Sequence, residues 1–131
     1  MRVLIVDDER MNRDILSRAF PEYDILLASN SREAQEHLAN ATIDVVLLDI
    51  MMPDMDGYEV CRRLKMDERL AEIPVIFISA LTEPLDKVKA FAIGGVDYLT
   101  KPFHMEELQE LIEVLLADDW HDQVSVDKKL H

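Results

Sequence analysis

The chain of 131 residues suits one ordinary domain, and its 49% hydrophobic and 31% charged residues exclude a disordered polar chain. Its 27 acidic against 14 basic residues give a net charge of −13, which argues against direct binding to nucleic acid or to an anionic membrane. No apolar run approaches the roughly 18 residues of a membrane span, and the single cysteine excludes disulfide frameworks and multi-cysteine zinc sites within one chain, so we expect a cytoplasmic domain.

Short apolar runs alternate along the chain with amphipathic stretches. The runs predict five β-strands, at residues 3–6, 25–27, 43–48, 75–78 and 96–99. Three of them contain four consecutive apolar residues, as strands covered on both faces require. The stretches that follow each strand place apolar residues on one helical face. Those faces consist of Met11, Ile15, Leu16 and Ala19; Ala34, Leu38 and Ala41; Val60, Cys61 and Leu64; Leu85, Val88 and Ala92; and Met105, Leu108, Ile112 and Leu115.

This alternation predicts the fold class. Five repeats of strand then helix imply a parallel sheet with helices on both faces. The length suits a doubly wound, flavodoxin-like α/β domain with strand order 2-1-3-4-5 and five helices, over residues 1–117. Ser31 is predicted to be the N-cap of the second helix. Residues 118–131, which include Trp120, lose the periodicity and are predicted to be an acidic tail or the start of a linker.

Polar residues follow four of the five predicted strands. Asp7 and Asp8 follow the first strand, Asp49 the third, Ser79 the fourth and Lys101 the fifth. Ligands of open α/β sheets bind beyond these carboxyl ends. Three crowded carboxylates repel one another unless a cation joins them, and magnesium is the default hard ion for oxygen ligands. One of the carboxylates could accept a phosphoryl group, with the lysine offsetting its charge.

Each of these residues alone has an ordinary structural explanation. An acidic pair after a strand more often caps a helix, and a single aspartate more often forms a turn. A lone serine or lysine at such a place would be a loop hydroxyl or a surface charge. Their gathering at the ends of neighbouring strands is what indicates a functional site.

Four ordered motifs resemble the receiver domain of bacterial two-component response regulators, of the chemotaxis-regulator type. They are VLIVDDE (3–9), VVLLDIMMPDMDG (45–57), IPVIFISA (73–80) and GGVDYLTKPF (94–103). The resemblance covers residues 1–117. It implies that Asp49 accepts a phosphoryl group from a histidine kinase or a histidine phosphotransfer protein. The result would be a signalling state that controls an output domain or a partner protein.

The resemblance also implies how the site is built. Magnesium would be held directly by Asp8, by Asp49 and by the backbone carbonyl of Met51, and by Asp7 largely through water. Lys101 and Ser79 would contact the phosphoryl oxygens.

The same resemblance implies structural and switching roles. Pro53 and Gly57 would frame the loop after the acceptor, and the peptide bond before Pro102 would be cis. The Ser79 hydroxyl would move toward the phosphoryl group and let Tyr98 turn inward, which would remodel the face formed by the fourth helix, fifth strand and fifth helix.

Self-association is predicted from charge. Residues 104–117, the predicted fifth helix, contain four glutamates and no lysine or arginine. Opposed acidic helices would repel, so we expect a monomer when the domain is unphosphorylated.

The domain is expected to assist its own phosphorylation and the hydrolysis of its aspartyl phosphate without being a turnover enzyme. Three other functions compete with this hypothesis. A phosphatase of the haloacid dehalogenase type would carry Asp-x-Asp after its first strand, whereas Asp7 and Asp8 are adjacent here. A flavodoxin-type flavin carrier would need a Ser/Thr/Gly phosphate cradle in its first loop. A receiver that serves only as an unphosphorylated docking module would not need the intact acidic and lysine set.

Overall fold

The computed structural model describes residues 1–50, 57–79, 92, 97–100 and 104–116. Within them the order of elements is β1 (Arg2–Val6), α1 (Arg10–Ala19), β2 (Asp24–Ala28), α2 (Ser31–Asn40), β3 (Val45–Asp49), α3 (Gly57–Met66), β4 (Val75–Ser79), β5 (Asp97–Thr100) and α4 (Met105–Leu116). Helix α4 is the predicted fifth helix. The predicted fourth helix, except for the helical residue Ala92, and the predicted tail lie outside the described residues.

The strands form one parallel sheet in the order β2-β1-β3-β4-β5. The chain moves from β1 to one side to form β2 and then to the other side for β3 and the later strands. The strand order therefore reverses between β1 and β3, which is where an open α/β sheet leaves a crevice. In the register of the sheet Val6 pairs with Leu48, so Asp7 and Asp49, the next residues, stand at the crevice.

Both faces of the sheet are covered, because successive side chains of a strand point to opposite sides. On one side Leu4 and Leu48 pack in a cluster with residues of α2 and α3. On the other side Ile5 and Leu47 pack in a cluster with residues of α1 and α4. Cys61 is fully buried in the first cluster, where burial raises the pKa of its thiol to about 11, so it acts as a small core side chain. No helix among the described residues is long and apolar enough to cross a membrane.

The start of α2 differs from the prediction by one residue. Asn30 is the N-cap: its backbone is extended and its side-chain oxygen accepts a hydrogen bond from the backbone N–H of Glu33 at 2.9 Å. Ser31 is instead the first residue of the helix and is buried. Asparagine and serine cap equally well, so the sequence alone does not decide between neighbours of these two types.

Candidate functional site

Three carboxylates meet beyond the ends of β1 and β3. One oxygen each from Asp7, Asp8 and Asp49 lies within 4.8 Å of the other two. Asp7 and Asp49 are buried, whereas Asp8 is exposed, so the cluster has one side open to solvent. Like charges at this spacing repel, and burial weakens the screening by water. An all-oxygen donor set of this charge fits a hard divalent cation, so the cluster could hold a metal ion.

Asp7 is held by hydrogen bonds at both ends. Its Oδ1 accepts from the backbone N–H of Glu9 at 2.9 Å, and its Oδ2 accepts from the side-chain amide of Asn12 at 3.4 Å. Its backbone carbonyl accepts from Nη1 of Arg13 at 2.8 Å, and its backbone N–H donates to the carbonyl of Ala28 at 3.0 Å. Both carboxylate oxygens of Asp7 therefore already accept hydrogen bonds.

The contacts of Asn12 and Arg13 were not predicted from the sequence. Both residues lie in the first turn of α1, directly after the crevice. The signal that could have found them is their position, because the first turn of a helix that begins at the crevice faces the strand ends. Sequence spacing alone does not say which side chains of that turn reach back.

Gly57 approaches the backbone of the predicted phosphoacceptor closely. Its N–H donates to the carbonyl oxygen of Ile50 at 2.7 Å. A Cβ added to Gly57 would lie 2.5 Å from the carbonyl oxygen of Asp49 and 2.8 Å from the Cα of Ile50. No side chain fits in that space without a shift of backbone. Glycine at this position thus allows α3 to start directly against the end of β3.

The remaining predicted site residues divide into two groups. Ser79 is the last residue of β4 and follows Ile78, which pairs with Asp49; Ser79 itself pairs with Thr100 of β5. Tyr98 also lies in β5. Met51, Pro53, Lys101 and Pro102 lie outside the described residues. Of the predicted set, the structure therefore brings together the three aspartates and places Gly57 against one of them.

Comparison with known families and curated proteins gives consistent matches. The family model described as response regulator receiver domain matches residues 3–113. The DNA-binding dual master transcriptional regulator RpaA of Synechocystis is 39% identical over 117 residues, which are 88% of this chain and 48% of that protein. Response regulator MprA of Mycolicibacterium vanbaalenii is 39% identical over 118 residues, covering 88% and 50%. The chain thus spans about half the length of these curated relatives.

Solved structures agree at the level of the fold. Chemotaxis protein CheY4 of Vibrio cholerae superposes with a TM-score of 0.83 at 30% identity, over 88% of this chain and 98% of that one. The signal receiver domain of a histidine kinase from Syntrophus aciditrophicus gives a TM-score of 0.81 at 34% identity, over 88% and 89%. The predicted flavodoxin-like α/β class with a parallel sheet is confirmed.

Proposed function

The chain belongs to the family of response regulator receiver domains, and from that premise we propose that it is a signalling domain switched by phosphorylation of Asp49. The observation that carries the proposal is the meeting of Asp7, Asp8 and Asp49 within 4.8 Å at the point where strand order reverses. Three crowded carboxylates destabilise the fold through mutual repulsion, but they can bind a cation, and they lie in the crevice of the sheet where a phosphoryl group could bind.

The proposed reaction is a phosphoryl transfer from a histidine. A carboxylate oxygen of Asp49 attacks the phosphorus of a phosphohistidine on a histidine kinase or a histidine phosphotransfer protein. The O–P bond forms as the N–P bond breaks, and the leaving imidazole nitrogen takes a proton from solvent. Water later hydrolyses the aspartyl phosphate. The domain assists both steps on itself, so we propose that it is not a turnover enzyme.

We propose that the metal is magnesium. Asp8, Asp49 and the backbone carbonyl of Met51 would hold it, and Asp7 would contact it through water. The hydrogen bonds that both carboxylate oxygens of Asp7 already accept favour this indirect role. A bound magnesium ion would supply positive charge beside the transferred phosphoryl group. Lys101 and Ser79 would bind phosphoryl oxygens, each as a donor of hydrogen bonds.

Phosphorylation would be read out through β4 and β5. Ser79 follows Ile78, the partner of Asp49, and pairs with Thr100, so the sheet joins the acceptor to β5 through adjacent backbone. We propose that Ser79 and Tyr98 are the switch residues. Their movement would change the face made by the predicted fourth helix, β5 and α4, to which an output domain or partner protein responds.

The partners follow from charge and family. The net charge of −13 argues that this segment does not itself bind nucleic acid or a membrane, so DNA binding of the kind named for one relative would need a separate region. Helix α4 contains Glu106, Glu107, Glu110 and Glu113 and no basic residue. Because two such acidic helices would repel each other, we propose that the domain is monomeric when unphosphorylated. We also propose that the domain is cytoplasmic.

The test is a substitution of the acceptor. Acetyl phosphate with magnesium should add one phosphoryl group to the parent, in a linkage labile to base and to hydroxylamine. Asp49→Asn keeps the size of the side chain but removes the nucleophile, so it should gain none. Asp44→Asn, just before the start of the same strand, is the matched control and should be modified like the parent. Equal modification of Asp49→Asn and the parent would refute the assignment.

A further inference from the structure

Arg13 contacts the acidic pair from the side of α1. Its Nη1 donates to the backbone carbonyl oxygen of Asp7 at 2.8 Å, and the side chain is half-buried. That carbonyl belongs to the peptide unit that joins Asp7 to Asp8. The N–H of Asp7 still bonds to Ala28 in the ladder between β1 and β2, so this peptide unit is where the chain leaves the sheet. Its orientation sets the direction in which Asp8 departs.

We propose that Arg13 is a positioning residue for the metal site: by binding the Asp7 carbonyl oxygen it fixes the Asp7–Asp8 peptide and thereby the spacing of both carboxylates from Asp49. The inference rests on the proposed function, which supplies the metal. Arg13 contacts the backbone carbonyl of Asp7, so it would affect the metal indirectly, through the ligands that it orients. Metal ligands commonly depend on such outer partners for their orientation.

Two further contacts hold the other end of Asp7. The backbone N–H of Glu9 and the amide of Asn12 bind its two carboxylate oxygens, and the amide of Asn12 also lies 3.3 Å from Oε2 of Glu9. These contacts fix the side chain, while Arg13 fixes the peptide. With both ends held, Asp7 keeps one orientation before any cation arrives, which reduces the cost of binding.

A negatively charged group near Arg13 is consistent with this role. Glu33, at the start of α2, has a lowered pKa, mainly because the Ser29 hydroxyl donates a hydrogen bond to it and to a smaller extent because of the positive charge of Arg13. The side-chain amide of Asn30 also lies 3.2 Å from Oε1 of Glu33. Glu33 is thus anchored to the loop after β2, and its negative charge attracts the Arg13 guanidinium.

Simple electrostatic repulsion and a positioning role of Arg13 predict opposite changes in magnesium affinity when the Arg13 side chain is removed. Arg13 is a cation near a cation site, so by Coulomb's law alone its removal should tighten magnesium binding. If Arg13 positions the ligands, its removal should weaken binding. Arg10 provides the matched control, because it lies in the same turn of α1, carries the same charge, is exposed and pairs with Asp14 at 4.0 Å.

The experiment measures magnesium affinity from the rise of the unfolding temperature with magnesium concentration, without phosphorylation. Arg13→Met keeps the apolar stem and removes the donor. We expect its dissociation constant for magnesium to rise about 10-fold, the lower end for outer partners of metal ligands. Arg10→Met should bind magnesium as tightly as the parent or more tightly. Arg13→Lys, which keeps the charge and one donor group, should recover part of the loss.

The outcomes separate this inference from the proposed function. If Arg13→Met binds magnesium as tightly as Arg10→Met or more tightly, the positioning role is wrong. The metal site itself would still stand if magnesium stabilises the parent and Asp8→Ala abolishes that stabilisation. A parent that gives no magnesium response would overturn both. Circular dichroism in EDTA checks folding. If Arg13→Met does not fold, Arg13→Gln, whose amide is too short to reach the carbonyl, carries the same expectation.

Discussion

All strands of this parallel sheet begin at one edge and end at the opposite edge, and the acidic groups at these two edges have opposite effects on stability. Where the strands begin, acidic groups meet donors: Oδ2 of Asp44 accepts the backbone N–H of Arg2 at 2.7 Å, and Asp24 lies 3.9 Å from the Arg2 guanidinium. Where the strands end, Asp7, Asp8 and Asp49 bring three like charges within 4.8 Å. The first arrangement lowers the free energy of the folded state, and the second raises it.

The difference separates stability from function within one sheet. The edge where the strands begin uses its polar groups to close the fold, while the edge where the strands end gathers three carboxylates that repel one another and that a bound cation would stabilise. Crowded carboxylates of the second kind fit a site for a cation. Substitutions at the two edges should therefore change the free energy of unfolding by different amounts and, for equivalent changes, with opposite sign.

The largest expected effect is that of Gly57→Ala, which breaks the edge of strand ends by steric clash. In the interior of a helix alanine is favoured over glycine by about 1 kcal/mol, so propensity alone predicts no loss of stability at the first residue of α3. The added Cβ would instead lie 2.5 Å from the carbonyl oxygen of Asp49, and backbone would have to move. We expect a loss of about 3 kcal/mol in the free energy of unfolding, the upper end for overpacking. We also expect slower phosphorylation.

Urea unfolding measures the stability of this variant and acetyl phosphate labelling its activity. Ser17→Ala, at a partly exposed position of α1, is the control for a small change within a helix. Stability of Gly57→Ala equal to or above that of the parent would mean that the end of β3 adapts freely. The sign of the change therefore decides between propensity and close packing.

The next effect concerns the edge of strand starts. Nζ of Lys65, in the last turn of α3, donates to the carbonyl oxygens of Ala71 at 2.9 Å and Ile73 at 2.6 Å. Lys65→Met leaves both acceptors without this charged donor and should cost about 2 kcal/mol. Arg62→Met in the same helix removes an exposed guanidinium that pairs with Glu59 at the surface, and it should cost less than about 1 kcal/mol.

Guanidinium or urea unfolding of the two variants would measure the difference. Equal losses would mean that the contacts of Lys65 contribute no more than a surface ion pair. A clear excess for Lys65→Met would show that this edge is closed by donors from the helices as well as by the contacts of Arg2.

Much of this molecule could be predicted from the sequence because two periodicities determine it. Continuous apolar runs identify β1, β3 and β4, and the regular alternation with helices leaves a parallel sheet with few possible strand orders. The meeting of Asp7, Asp8 and Asp49 then follows, because the ends of β1 and β3 are neighbours in that order. Site chemistry carried by strand ends is predictable to the extent that the topology is.

What could not be predicted depends on side-chain direction rather than on register. Arg13 reaches the Asp7 carbonyl from the first turn of α1, and its position in the sequence does not give the direction of that side chain. Lys65 reaches two carbonyls because the chain after α3 turns back beneath it. Asn30 rather than Ser31 caps α2, a choice that local geometry makes between two residues of similar capping strength.

The smallest effect is the sharpest test of the comparison, because it predicts opposite signs for the same substitution at the two edges. Without magnesium, Asp8→Ala removes one of three mutually repelling charges and should raise the free energy of unfolding by about 1 kcal/mol. Asp44→Ala removes the acceptor of the Arg2 N–H and should lower it by about 1 kcal/mol.

Magnesium should then separate the two variants further. At a concentration of ten times its dissociation constant, magnesium should stabilise the parent and Asp44→Ala by about 1.4 kcal/mol each, and Asp8→Ala hardly at all. Urea unfolding of the parent and the two variants, with and without magnesium, measures all of these changes. If Asp8→Ala loses stability in EDTA as Asp44→Ala does, the carboxylates at the strand ends are not in net repulsion. If it keeps the full magnesium response, the cation binds elsewhere, and the contrast between the edges would have to rest on Gly57 and Lys65 alone.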